Sequence, residues 1–208
     1  MKTSRGAKII IVGLVLFISL ACGCNLSGLN LQDKIASLFA EQLTSSFMKG
    51  QTGDVYSEEA GLGFTTPQDY EAQVSSLGTS IMPKNFVNGD PIITVFDLQL
   101  TEDKNYSKYL KDITNTIEYS EKVSDIYEES VTISGYAGQR FDYTDMFTNI
   151  EDETDVYPVN TVNIILDLTP DRVVYINGTW RVEQDPEFRP IFEEWLATLQ
   201  IFDPVTKD

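Results

Sequence analysis

Histidine is absent from the 208 residues, and cysteine occurs only at positions 22 and 24. Without imidazole there is no Ser-His-Asp or Cys-His relay and no histidine metal ligand. Beyond residue 24 there is no thiol for a disulfide framework, a cysteine zinc site or a cysteine nucleophile. Basic residues are scarce, 15 against 32 acidic ones, for a formal charge of −17. So acidic a surface is repelled by nucleic acid and by anionic headgroups, which argues against nucleic acid as a partner. The one long apolar run, residues 9–20, is shorter than the ~20 residues that span a bilayer comfortably. The length suits one ordinary domain with attachments.

What is present begins with the N-terminus. Lys2, Arg5 and Lys8 precede the apolar run, the layout of an export signal. Ser19-Leu20-Ala21-Cys22 follows, then Gly23-Cys24. This arrangement resembles a bacterial lipoprotein lipobox, although Ser19 stands where leucine is usual. Gly23, Asn25, Ser27 and Gly28 end the apolar character at once, unlike an uncleaved anchor. The resemblance implies that the Cys22 thiol receives a diacylglyceryl group and becomes the mature N-terminus, with Cys24 as the alternative. It further implies a bacterial cell-membrane location on the extracytoplasmic side, with the lipid anchor as the contact to the membrane. Cleavage before Cys22 removes Lys2, Arg5 and Lys8 and no acid, so the mature chain is more acidic still.

The organisation read from the sequence is a signal peptide at 1–21, a lipid-anchored spacer at 22–55, a folded domain at 56–203 and a tail at 204–208. In the spacer, Ile35, Leu38, Phe39, Leu43 and Phe47 recur at helical spacing, so one short amphipathic helix is expected there, resting on the bilayer or on the domain. Ser46-Phe47-Met48-Lys49 spells S-x-x-K, but S-D-N and K-T-G are missing, and the match is chance. In the domain, residues 61–67 read as an extended segment closed by a proline turn. Residues 92–100 alternate with period two and predict a strand. Tyr106, Tyr109, Leu110, Ile113 and Ile117 predict a helix over 105–118 with Asn105 as its N-cap. Further strands are expected over 131–143, with a turn or bulge at Gly135 and Gly138, over 159–168 and over 172–182. Asp185-Pro186-Glu187 opens a closing helix that Pro190 either delays or kinks. Trp195 falls on its inner face. Tight links between the later strands imply antiparallel pairing, and two helices suffice to cover it. The expected class is α+β, an antiparallel β-sheet flanked by helices.

Four stretches resemble the PsbP-like family, with its Mog1/PsbP/DcrB-type fold. They are Gly63-Phe64-Thr65-Thr66-Pro67-Gln68-Asp69-Tyr70, then Ile92-Ile93-Thr94-Val95 leading to Tyr109-Leu110, then residues 131–140, and the closing helix with Gln200-Ile201-Phe202. The resemblance implies an α/β/α sandwich and, since the family's members are mostly accessory factors that bind other proteins, a non-enzymatic role among envelope proteins. It brings no catalytic residues and no cofactor.

The dense acidic cluster, Asp145, Glu151, Asp152, Glu153 and Asp155, offers oxygen ligands of the kind hard cations take, but lacks the D-x-D-x-D-G spelling and its glycine. It is expected to be a solvated loop, and a divalent-cation or small-ligand binding lipoprotein is the alternative function. Tyr119, Tyr127, Tyr136, Tyr143, Tyr157 and Tyr175 fall near loops or on outward positions and are candidates for a contact patch.

Overall fold

The computed structural model describes residues 50–58, 60–75, 78–87, 89–100, 105–148 and 154–202. Cys22, Cys24, the spacer helix, Glu151, Asp152, Glu153 and the tail lie outside the described residues. In chain order the elements are β1 (Asp54–Ser57), β2 (Leu62–Thr65), β3 (Tyr70–Ser75), β4 (Gly78–Pro83), β5 (Ile92–Gln99), α1 (Tyr106–Glu118), β6 (Ser124–Ile133), β7 (Tyr136–Thr148), β8 (Val156–Thr169), β9 (Arg172–Arg181), α2 (Asp185–Thr198) and β10 (Gln200–Ile201). A 3-10 turn, Val182–Gln184, joins β9 to α2.

Seven strands form one sheet in the order β3-β4-β5-β9-β8-β7-β6, and every pairing in it is antiparallel. β1, β2 and β10 form a second, small sheet. The centre of the large sheet goes to the most completely buried strand, β9, in which every residue but Arg181 is buried. Its neighbour β8 is reached through the two-residue link Pro170-Asp171, since Thr169 pairs with Arg172. The β6–β7 link is as short: Ile133 pairs with Tyr136, and Ser134 (φ 54°) and Gly135 (φ 86°) make the turn. Positive φ at both positions is the type I′ geometry that matches strand twist, and glycine takes the second place without strain.

Among the described residues, each face of the large sheet carries one helix. Asn105 caps α1, its Oδ1 accepting from the Lys108 amide at 3.0 Å, as expected. The stripe Tyr106, Tyr109, Leu110 and Ile113, together with buried Ile117, packs over Phe141, Tyr143, Ile165, Val173 and Tyr175. On the opposite face α2 lays Phe188, Phe192, Trp195 and Leu196 over Ile93, Val95, Ile164, Val174 and Ile176. The small sheet closes this side with Val55, Leu62, Phe64 and Ile201. The α+β sandwich expected from the sequence is the architecture of the described residues.

Several details differ. The domain begins before residue 56: Gln51 and Ala72 exchange two backbone hydrogen bonds of 2.8 Å, and Val55 is buried. Gly138 is no bulge but a paired residue opposite Leu166, where the Ile165 carbonyl passes too close for a side chain. The closing helix starts at Asp185 and runs through Pro190. A proline at the sixth helical position forfeits only a bond to the carbonyl of Pro186, close to the end of the helix. Tyr143, Tyr157 and Tyr175 are buried rather than outward, Tyr136 is half-buried, and only Tyr119 and Tyr127 of the six are exposed.

At Gly178 of β9 the Phe192 ring of α2 comes down onto the sheet. A Cβ there would sit 2.6 Å from the Phe192 ring and 3.1 Å from the Trp180 ring. Gly178→Ala should cost about 1–3 kcal/mol in urea unfolding, as overpacking does. Phe192→Leu in the same chain should recover part of that loss. A single variant as stable as the parent would mean that α2 is not seated there.

Candidate interaction site

The acidic residues nominated by the sequence do not share a site among the described residues. Asp145 lies within β7, paired with Val159, rather than on a bent loop. Its Oδ1 accepts from the Met146 amide at 2.7 Å, and Asp155 lies just before β8. No group of three or more acidic or thiol side chains placed to hold a metal occurs among the described residues. Burial raises the Asp145 pKa above the ordinary aspartate value, partly countered by the Met146 amide and by Lys122.

Among the described residues two polar networks join several side chains inside the sandwich, besides the Arg172–Asp97 ion pair, and each is structural. On the α1 side Asn163 is the hub. Its Nδ2 donates to the Tyr143 hydroxyl at 2.8 Å, while its Oδ1 accepts from Tyr175 at 2.7 Å and from Asn177 at 2.8 Å. Thr179 extends the row by donating to Asn177 at 3.1 Å. Burial raises the Tyr143 pKa and keeps its phenol neutral. These groups partner one another away from water, as buried polar groups must, and present no free nucleophile.

On the α2 side Arg140 is the hub. It donates to Asp142 at 3.0 Å and to Glu193 at 2.5 and 3.1 Å, so β7 is clamped to α2. Burial opposes its charge, but the carboxylates of Glu193 and Asp142 more than offset this and the guanidinium pKa is raised. Asp185 ties the start of α2 to the sheet, accepting from Trp180 Nε1 at 2.8 Å, Asn160 at 2.7 Å and Arg189 at 3.0 Å. A carboxylate at this end also suits the helix dipole.

The surface differs at the edge formed by β6. This strand ends the sheet order, so among the described residues no strand pairs with one side of its backbone. Its residues are mostly exposed, Tyr127 at 57 % and Ile126 at 44 % among them. Ser124-Asp125-Ile126-Tyr127-Glu128-Glu129-Ser130-Val131-Thr132-Ile133 contains three acids and no lysine, arginine or proline. Beside it lies an open groove of about 310 Å³ between Tyr106 and Asp167, with Ser130, Thr132, Ala137 and Gly138 along it. The Tyr106 pKa is raised by burial and then by the nearby Asp167 carboxylate. The groove is therefore roomy, small-floored and negative. The sequence concealed this edge because its first half reads as a polar loop, and only pairing with β7 makes it a strand.

The chain matches no protein-family model and no characterised protein by sequence. Solved structures are similar in fold. LpqN of Mycobacterium tuberculosis, described as involved in cell envelope biogenesis, aligns with a TM-score of 0.53 at 12 % identity, over 78 % of this chain and 96 % of that one. The cyanobacterial PsbP (CyanoP) of Synechocystis aligns at 0.49 and 9 % identity, over 77 % of this chain and 99 % of that one. The Ran-binding protein Mog1p of Saccharomyces cerevisiae aligns at 0.44 and 13 % identity, over 74 % and 97 %. The fold is shared with LpqN, and the architecture is the one that the PsbP-like resemblance implied. Among the described residues no helix is long and apolar enough to cross a membrane.

The raised Asp145 pKa has a consequence for pH dependence. The fold favours the protonated carboxyl, so the stability this group contributes is present below its unfolded pKa and lost as pH rises through the folded value. Asp145→Asn, which keeps an oxygen for the Met146 amide, should melt above the wild type at pH 7, with the gap closing below about pH 4. A variant that melts below the parent at pH 7 would contradict this.

Proposed function

We propose that the chain is a lipid-anchored accessory protein on the extracytoplasmic side of a bacterial membrane, acting by contact with other envelope proteins and not by catalysis. The observation that carries this reading is the export signal that ends at Cys22, joined to a fold shared with a protein involved in cell envelope biogenesis. The chemistry of the domain agrees with it. Asn163 and Arg140 have partners, and their networks serve packing. The strongly acidic composition suits a domain kept in water beside a membrane.

The anchor is a diacylglyceryl group on Cys22, with two chains where one would hold only marginally. Its tether enters the domain at Gln51, which bridges to Ala72 of β3 at the edge of the sheet opposite β6. Six inter-strand spacings of about 4.8 Å place β6 roughly 30 Å across the sheet from that entry. The tethered edge and the exposed edge are thus separate surfaces.

Metabolic labelling with radioactive palmitate tests the anchor. Wild type and Cys24→Ser should label, and Cys22→Ser should stay unlabelled and remain as precursor or leave the membrane fraction. Labelling lost only in Cys24→Ser would move the lipid to Cys24, and an unlabelled wild type would remove the anchor from the account.

A further inference from the structure

We infer that β6 is a docking edge at which an extended, basic segment of a partner protein adds as an eighth strand, a surface that gives the accessory role proposed above its contact site. The backbone supplies the first argument. The two-residue turn at Ser134-Gly135 makes Ile133 and Tyr136 a hydrogen-bonded pair, and antiparallel ladders alternate from there. The amides and carbonyls of Val131 and Glu129 then turn toward β7, and those of Thr132, Ser130 and Glu128 turn outward. Thr132, Ser130 and Glu128 are all exposed. An edge of this kind is a template for strand addition unless it is defended.

The defences present are selective. Asp125 (φ 55°) sits in a register irregularity between Ser124 and Tyr127, which twists the start of the strand away from a flat pairing. Beyond it residues 127–133 pair regularly with β7, and the edge is guarded only by Glu128 and Glu129, with no lysine or proline. Two copies of this chain joined through β6 would bring these acids against each other, and like charges facing across a ladder destabilise it. A strand with lysine or arginine at alternate positions meets the opposite situation.

The groove supplies the second argument. Ser130 and Thr132 point to the same face as Tyr106 and Asp167, because Ser130 pairs with Gln139, opposite Ile165, and Thr132 pairs with Ala137. A side chain of the added strand on that face lies beside the groove of about 310 Å³. The small floor leaves room for a long side chain, and the Asp167 carboxylate selects a cationic one. Length, room and charge all point to the same occupant.

The test is fluorescence anisotropy with the full chain in detergent and a labelled peptide of alternating lysine and valine. A second peptide carries proline in place of every other valine, so it keeps the charge and cannot pair as a strand. The first peptide should bind at least about tenfold more tightly than the second. Ser130→Pro, which removes an outward amide and leaves the β7 bonds intact, should weaken binding by about as much. Glu128→Lys should weaken the lysine peptide and admit a glutamate–valine peptide, and it serves where Ser130→Pro proves unfolded by circular dichroism. Equal binding of the two basic peptides would reduce the interaction to net charge and overturn the proposal. So would unchanged binding in both variants, or a wild type that sediments as a dimer that Ser130→Pro dissolves. These outcomes leave the lipid label on Cys22 untouched, so failure of the edge and failure of the anchor are read separately.

Discussion

The seat of α2 on β9 fixes the rest of the domain. Because residue 178 is glycine, the Phe192 ring comes down where a side chain would otherwise stand. That height lets Trp180 pack against Phe188 and Phe192, with ring centroids at 5.0 and 5.7 Å, and lets Trp195 meet Phe64 edge-on at 6.0 Å. Aromatic pairs at such separations add to the area they bury. The same height brings Glu193 to Arg140 and Asp185 to Trp180, so the start and the middle of the helix are held by charge-assisted bonds. From there the chain returns through β10 to pair with β2, which closes the N-terminal strands over the C-terminal helix.

Where side chains repeat strongly, the fold was legible. β8, β9 and α1 declare themselves by period, and Asn105 by its place before the first apolar position. What escaped was decided by partners distant in sequence. β3 and β4 are short and partly polar, and they become strands by pairing with each other and with β5. The first half of β6, rich in acids, is held by β7 alone. Tyr143 and Tyr175 read as outward by position, yet α1 covers that second face of the sheet, and Asn163 supplies the bonds that water would have made. Tyr157 is covered in another way, with the Arg181 guanidinium 3.9 Å above its ring.

The candidate interaction site was less legible than the fold. Acidic spelling drew attention to residues 145–155, but Asp145 belongs to a paired strand, and its nearest polar contact is its own neighbour's amide. The groove beside Tyr106 depends on Ala137 and Gly138 lying opposite Thr132 and Val131, a register that no local pattern encodes. The proposed anchor, by contrast, rests on a linear pattern that is readable without any structure. Linear signals and surfaces assembled by pairing are therefore unequally visible in one sequence.

The central claim is that a sheet clamped by two helices keeps one edge strand open. Amide hydrogen exchange of the full chain, resolved residue by residue, tests it most directly. Within β6 the amides of Glu129 and Val131 should be protected, while those of Glu128, Ser130 and Thr132 exchange as exposed groups, with β9 the slowest strand of all. Uniform protection along β6 would mean that the edge is already covered, and uniform rapid exchange would mean that the strand is not paired with β7; either result would contradict the account.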